Sequence, residues 1–124
     1  MKKLLATLLI LCAGPVWAEW FQYGDSGSSK YFIDPSTIRG TTLEKAWTKV
    51  ENETPDEDGW LSVRRLIEFD CSDEKLRQLQ FTAFDGPNLT GRVLKTMTLR
   101  NPEWVYAAPG TIAASGMKIV CGTK

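Results

Sequence analysis

The first 18 residues have the pattern of a secretory signal peptide, and they limit the folded part of this 124-residue chain to the residues after them. A positive start at Lys2 and Lys3 leads into an apolar run, and small or aliphatic residues stand at its end, as signal peptidases require. We therefore predict cleavage between Ala18 and Glu19. Residues 19–124 suffice for one domain with one hydrophobic core and are too few for two.

Two alternatives for this leader stay open. An uncleaved membrane anchor is disfavoured because the apolar run is shorter than the ~20 residues that span a bilayer. Lipidation at Cys12 is disfavoured because bulky Leu11 precedes it, where a small residue is usual. We therefore expect Cys12 to leave with the leader and the mature chain to contain no transmembrane segment.

The cysteines that remain are Cys71 and Cys121. In an oxidising compartment such a pair is expected to form a disulfide, and a loop of this length gives roughly 4 kcal/mol in the chain-entropy model. The alternatives are two free buried thiols or a metal pair. The chain has no histidine, so a metal site built on the cysteines would lack its usual further ligands.

The charge balance excludes one class of partner. Lys2 and Lys3 leave with the leader, so 13 of the 15 basic residues remain against 15 acidic ones. A slightly negative chain without a basic run is not typical of a nucleic-acid-binding protein.

Strict alternation of apolar residues predicts a strand over Trp60–Cys71. Arg65 interrupts its apolar positions, and we interpret it as lying at a strand end or edge, where its stem can snorkel to water. The other predicted strands, joined by Gly-, Pro- and Asp-rich turns, are Trp20–Tyr23, Tyr31–Ile33, Thr42–Asn52, Lys75–Asp85 and Arg92–Leu99, and a short aromatic stretch follows at Trp104–Tyr106.

A helix is predicted after Pro109-Gly110, with Thr111 as its N-cap and apolar residues at helical spacing from Ile112 to Val120. Cys121 follows, so the disulfide would attach this helix to the end of the strand Trp60–Cys71. The predicted fold is α+β, a meandering antiparallel sheet of about six strands with a C-terminal helix on one face.

Catalytic patterns are weak in this sequence. Without histidine the commonest general base is missing, and there is no phosphate-binding loop or nucleophile elbow. Asp56-Glu57-Asp58-Gly59 resembles a calcium loop only faintly, because the alternating ligands and the distal glutamate of that motif are missing. We predict a non-catalytic protein without cofactor or metal, and we rank an enzyme low.

Aromatic residues are the remaining candidates for a binding surface. After the leader the chain keeps four tryptophans, of which we expect at least two to fill the core and the rest to be available for binding: Trp20, Trp47, Trp60 and Trp104.

Ordered landmarks across residues 19–124 resemble the bacterial surface-adhesin protein E family. They are Trp20, Tyr31-Phe32-Ile33-Asp34-Pro35-Ser36-Thr37-Ile38, Trp47, Phe69-Asp70-Cys71, Trp104, Pro109-Gly110 and Cys121. The resemblance implies one antiparallel sheet with its C-terminal helix tied to it by the Cys71–Cys121 disulfide. It also implies an exported protein, since the family's namesake is an adhesin for host matrix and plasma proteins. No ligand-binding residue can be carried over.

Together these observations predict an exported binding module with a protein partner from the envelope or the host matrix. We expect it in the periplasm, with secretion or outer-membrane association as alternatives. The exposed sheet face or the loop Glu51–Gly59 would bind the partner. A periplasmic inhibitor of a hydrolase such as lysozyme is the alternative function, because a rigid disulfide-bonded scaffold loses little entropy on binding. The partner and the oligomeric state stay open.

Overall fold

Eight antiparallel strands form one sheet in the computed structural model, which describes residues 19–122. The six longer strands lie in the order β1-β2-β4-β5-β6-β7, while β3 pairs with β4 and β8 with β6. The strands are β1 (Phe21–Asp25), β2 (Ser29–Ile33), β3 (Arg39–Gly40), β4 (Leu43–Asn52), β5 (Ser62–Asp70), β6 (Lys75–Phe84), β7 (Val93–Thr98) and β8 (Val105–Tyr106). The leader lies outside the described residues, so cleavage between Ala18 and Glu19 stays a prediction.

The pairing register sorts the side chains of the central strands into two faces. Ala46 of β4 pairs with Ile67 of β5, and the next position pairs Trp47 with Leu66. Directly paired residues share a face, and successive residues point to opposite faces. We call the side of Ala46 and Ile67 the helix face, and the side of Trp47 and Leu66 the open face.

One helix, α1 (Ile112–Cys121), packs on the helix face and confirms the α+β prediction. It begins where the sequence indicates, since the Thr111 hydroxyl accepts a hydrogen bond of 3.2 Å from the backbone N–H of Ala114. The approach to the sheet is close, because a Cβ on Gly116 would lie 3.1 Å from Cε2 of Tyr23. The buried core between helix and sheet comprises Ile33, Ala46, Ile67, Phe69, Met117 and Val120.

The disulfide between Cys71 and Cys121 is present, with 5.7 Å between the Cα atoms. It joins the last residue of α1 to the residue directly after β5, as predicted. A carboxylate oxygen of Glu44 lies 3.9 Å from the Cys71 sulfur. Although these three groups are close enough to hold a metal, a metal needs thiolates, and the bonded sulfurs are not thiolates.

The expectation that Arg65 lies at a strand end or edge is wrong. Its strand β5 is flanked by β4 and β6, and Arg65 pairs with Thr48 on one side and Phe81 on the other. Arg65 therefore lies in the middle of the sheet, on the helix face.

The expectation that at least two tryptophans fill the core is also wrong. All four tryptophans of the described chain are half-buried, and none belongs to the core cluster. The physical reason is the register of the strands, because Trp47 pairs with Leu66 and so points to the open face, away from α1. Trp20 and Trp104 lie against Lys49 and Arg77 of that same face. Among residues 19–122, no helix has the length and apolarity to cross a bilayer.

Candidate binding face

The open face is built from cross-strand rows of side chains. One row runs across β4 to β7 through Lys49, Arg64, Thr82 and Thr96. The next row runs through Trp47, Leu66, Gln80 and Thr98. A third row places Lys45 beside Glu68 and Arg77. Cations and aromatic rings are thus neighbours on one side of a sheet that the helix does not cover.

Cations stack on aromatic rings along this face. The guanidinium carbon of Arg64 lies 5.4 Å from the centre of the Trp47 ring, and that of Arg77 lies 4.2 Å from the Trp104 ring. Such contacts contribute about 0.5–1 kcal/mol at exposed sites. They also place a cation and an aromatic ring side by side, where a partner could contact both.

The acidic groups of this face are neutralised, whereas some of its cations are not. Glu68 is 7 % exposed, and its carboxylate lies 2.9 Å from Nε of Arg77. Asp70 pairs with Lys75 at 4.0 Å. Lys45 and Arg64 are exposed, and neither takes part in an ion pair found among the described residues. The centre of the open face therefore carries positive charge, although the whole chain does not.

A hairpin loop, residues 85–91, folds over one end of the open face. The Lys49 ammonium donates to the Asn88 side-chain oxygen at 2.7 Å, and the Ser62 hydroxyl donates to the Gly86 carbonyl at 2.7 Å. Lys49 is only 5 % exposed as a result. Its ammonium also lies 4.6 Å from the Phe32 ring and 5.2 Å from the Trp20 ring. The accessible part of the face is thus its middle, around Trp47 and Arg64.

The base of this loop depends on Asp85. Hydrogen bonds from the backbone N–H of Arg92 at 2.7 Å, and then from its side chain at 3.1 Å, lower the pKa of the Asp85 carboxyl. Gly91 lies beside that carboxylate with a φ of +82°, and a Cβ there would be 2.3 Å from it. The loop therefore requires glycine at this position.

The acidic segment that resembles a calcium loop has a structural role. One carboxylate oxygen of Asp56 accepts hydrogen bonds from the backbone N–H groups of Asp58 and Trp60, both at 2.9 Å. These bonds close the turn that leads into β5. Trp60 then packs on Phe81 of the helix face, with 5.3 Å between ring centres, so the tryptophan that follows the loop Glu51–Gly59 does not lie on the open face.

The Asp-Pro motif is structural as well. The Asp34 carboxylate accepts from the backbone N–H and hydroxyl of Ser36 at 3.0 and 2.7 Å, which caps the 3-10 turn Pro35–Thr37. The hydroxyl of Thr37 then accepts from the backbone N–H of Trp47 at 3.0 Å. The motif is therefore bonded to the middle of β4, at the backbone of Trp47.

The model of the family described as "Surface-adhesin protein E" matches residues 20–122. The chain belongs to this family. None of the curated protein sequences matches it.

Solved structures with the same fold come from Haemophilus influenzae protein E. One crystal form is 16 % identical, with a TM-score of 0.66 over 88 % of this chain and 91 % of that chain. A second structure, also 16 % identical, has a TM-score of 0.65 and covers 88 % of each chain. A structure from a non-typeable strain, again 16 % identical, has a TM-score of 0.63 and covers 87 % of this chain and 78 % of that chain. At this identity the likeness establishes the fold alone.

Proposed function

We propose that this chain is an exported, non-catalytic module that binds a protein through the middle of its open face. The family description and the protein E fold support a surface-adhesin-like module. Its place would be the periplasm or the cell surface, after removal of residues 1–18. The single observation that carries the binding role is the contact of Arg64 with Trp47 on an uncovered sheet face, where the guanidinium carbon lies 5.4 Å from the ring centre.

The chemistry of the face indicates the kind of partner. Tryptophan and arginine are the residue types that dominate the energy of protein interfaces. Lys45 and Arg64 add positive charge that is not neutralised within the described residues. A complementary partner surface would be apolar at its centre and acidic around it, since charge complementarity sets orientation and association rate.

A pull-down with the mature protein tests this proposal. The bait is residues 19–124, offered to an envelope extract and to purified matrix proteins. Arg64→Glu reverses a charge in the centre of the open face. Lys95→Glu is the matched control, because Lys95 is an exposed cation that pairs with Ala83 on the helix face.

We expect a partner that is retained by the wild type and the Lys95 variant and lost with Arg64→Glu. Retention should fall as salt rises, because exposed charges are screened. Binding that both variants weaken equally would contradict a role for the open face. Lysozyme inhibition by the wild type would instead favour the hydrolase-inhibitor function.

A further inference from the structure

A separate cavity of about 190 Å³ lies between the sheet and the first turns of α1, on the helix face. Its walls are mostly apolar, with Ile67, Phe69 and Leu76 from the sheet and Ile112 from the helix. Arg65, Ile67, Leu76 and Ala113 also line a wider groove beside it. These shared residues make the groove a route by which a small molecule could enter.

Arg65 supplies a positive charge to this apolar space. Its Nε is buried and lacks a hydrogen-bond partner, and the residue takes part in no ion pair found among residues 19–122. Its guanidinium carbon lies 5.9 Å from the Tyr31 ring. The Tyr23 phenol accepts a hydrogen bond from this guanidinium, but a buried donor without a partner is costly, so an anion in the cavity would pair with Nε and balance the charge.

We propose that this cavity binds a small organic carboxylate whose oxygens pair with Arg65 and whose apolar body fills the space beside Phe69 and Ile112. The volume sets the size of the ligand. An apolar cavity of about 150 Å³ holds benzene, so 190 Å³ suits an aromatic or branched aliphatic acid of about that size. Guanidinium groups recognise carboxylates through paired hydrogen bonds, and the walls select the apolar body.

Benzoate is a suitable probe, and benzamide is its neutral counterpart of the same shape. Titration calorimetry of residues 19–124 at low salt should show saturable, one-to-one binding of benzoate, and binding of benzamide at least about tenfold weaker, given the strength of hydrogen bonds to charged groups. Methyl resonances of Ile67 and Ile112, which line the cavity, should shift with benzoate, while those of Ile38 should not.

The adjacent arginines provide a matched pair of variants. Arg65→Gln should weaken benzoate binding at least about tenfold, whereas Arg64→Gln, on the opposite face, should leave it unchanged. No saturable benzoate binding, equal affinity for benzamide, or equal effects of the two variants would overturn the proposal. If Arg65→Gln fails to fold, the proposal is still tested on the wild type, by its affinities for benzoate and benzamide and by the shifts of its methyl resonances. The open-face proposal is tested separately, because it depends on Arg64.

Discussion

At the scale of the residue, Arg64 and Arg65 are neighbours in the chain but meet different surroundings. Successive residues of a strand point to opposite faces, so Arg64 lies exposed against Trp47 on the open face. Arg65 enters the space under α1, where it faces Tyr23 and Tyr31. The same side-chain chemistry therefore serves a surface in one case and a cavity in the other.

Tyr23 gives a measurable sign of that cavity. Burial raises the pKa of its phenol above the ordinary value of 10.0, and the nearby charge and hydrogen bond of Arg65 oppose the rise. Tyr23 therefore stays protonated to a higher pH in the folded protein than in the unfolded chain. The contribution of protonated Tyr23 to the free energy of unfolding is complete below about pH 10. It is lost as the pH rises through the pKa that this phenol has in the folded state.

We expect phenolate absorbance to show one tyrosine that ionises last, and Tyr23→Phe to remove that final step. The same variant should flatten the loss of stability above about pH 10. Tyr106→Phe is the control, because Tyr106 is 70 % exposed. A final ionisation step that persists in Tyr23→Phe would contradict the assignment.

At the scale of the element, α1 is short and depends on its ends. Helices of this length are marginal by themselves in water, so they form through packing and capping. Ile112–Cys121 is capped by Thr111 at its start and held by the disulfide at its last residue. These two restraints position the wall of the cavity that Ile112 and Ala113 provide.

Removal of the cap should therefore be visible in stability. Thr111→Ala removes the acceptor of the Ala114 N–H and should lower the free energy of unfolding by about 1 kcal/mol in urea denaturation. Thr111→Ser keeps the acceptor oxygen and should lose much less. Equal losses in the two variants would show that the methyl group, rather than the cap, is responsible.

At the scale of the whole molecule, one helix covers one face of a sheet that has two. The helix face is covered in part by α1, which the disulfide holds in place. The open face is covered only towards its ends, by the loop at residues 85–91 and by contacts such as that of Arg77 with Trp104. This division separates the face for which we propose a protein partner from the cavity for which we propose a small acid.

The disulfide should contribute a large share of the stability of this domain. It closes a separation of 50 residues, for which the chain-entropy model gives roughly 4 kcal/mol, against about 5–15 kcal/mol for a typical domain. Cys71→Ala with Cys121→Ala should reduce the free energy of unfolding by about that amount. Reduced wild type is the control, and a change below about 1 kcal/mol would contradict the model.

The sequence by itself determined the elements and the covalent link. Alternation over Trp60–Cys71 is a local signal of a strand, and the Thr111 cap marks a helix start because the cap is made within four residues. The disulfide followed from the cysteine count once Cys12 was assigned to the leader. Landmark order then indicated the family, and the family match confirmed it.

Only the tertiary structure decided what each side chain meets. The indole of Trp47 lies on a cation rather than in the core, because its pairing with Leu66 puts it on the face that α1 does not cover. Arg65 faces a cavity because Tyr23, Tyr31 and α1, all distant from it in sequence, close around it. Periodicity assigns a residue to one face of a strand, but the contacts on that face come from elements whose packing no local pattern specifies.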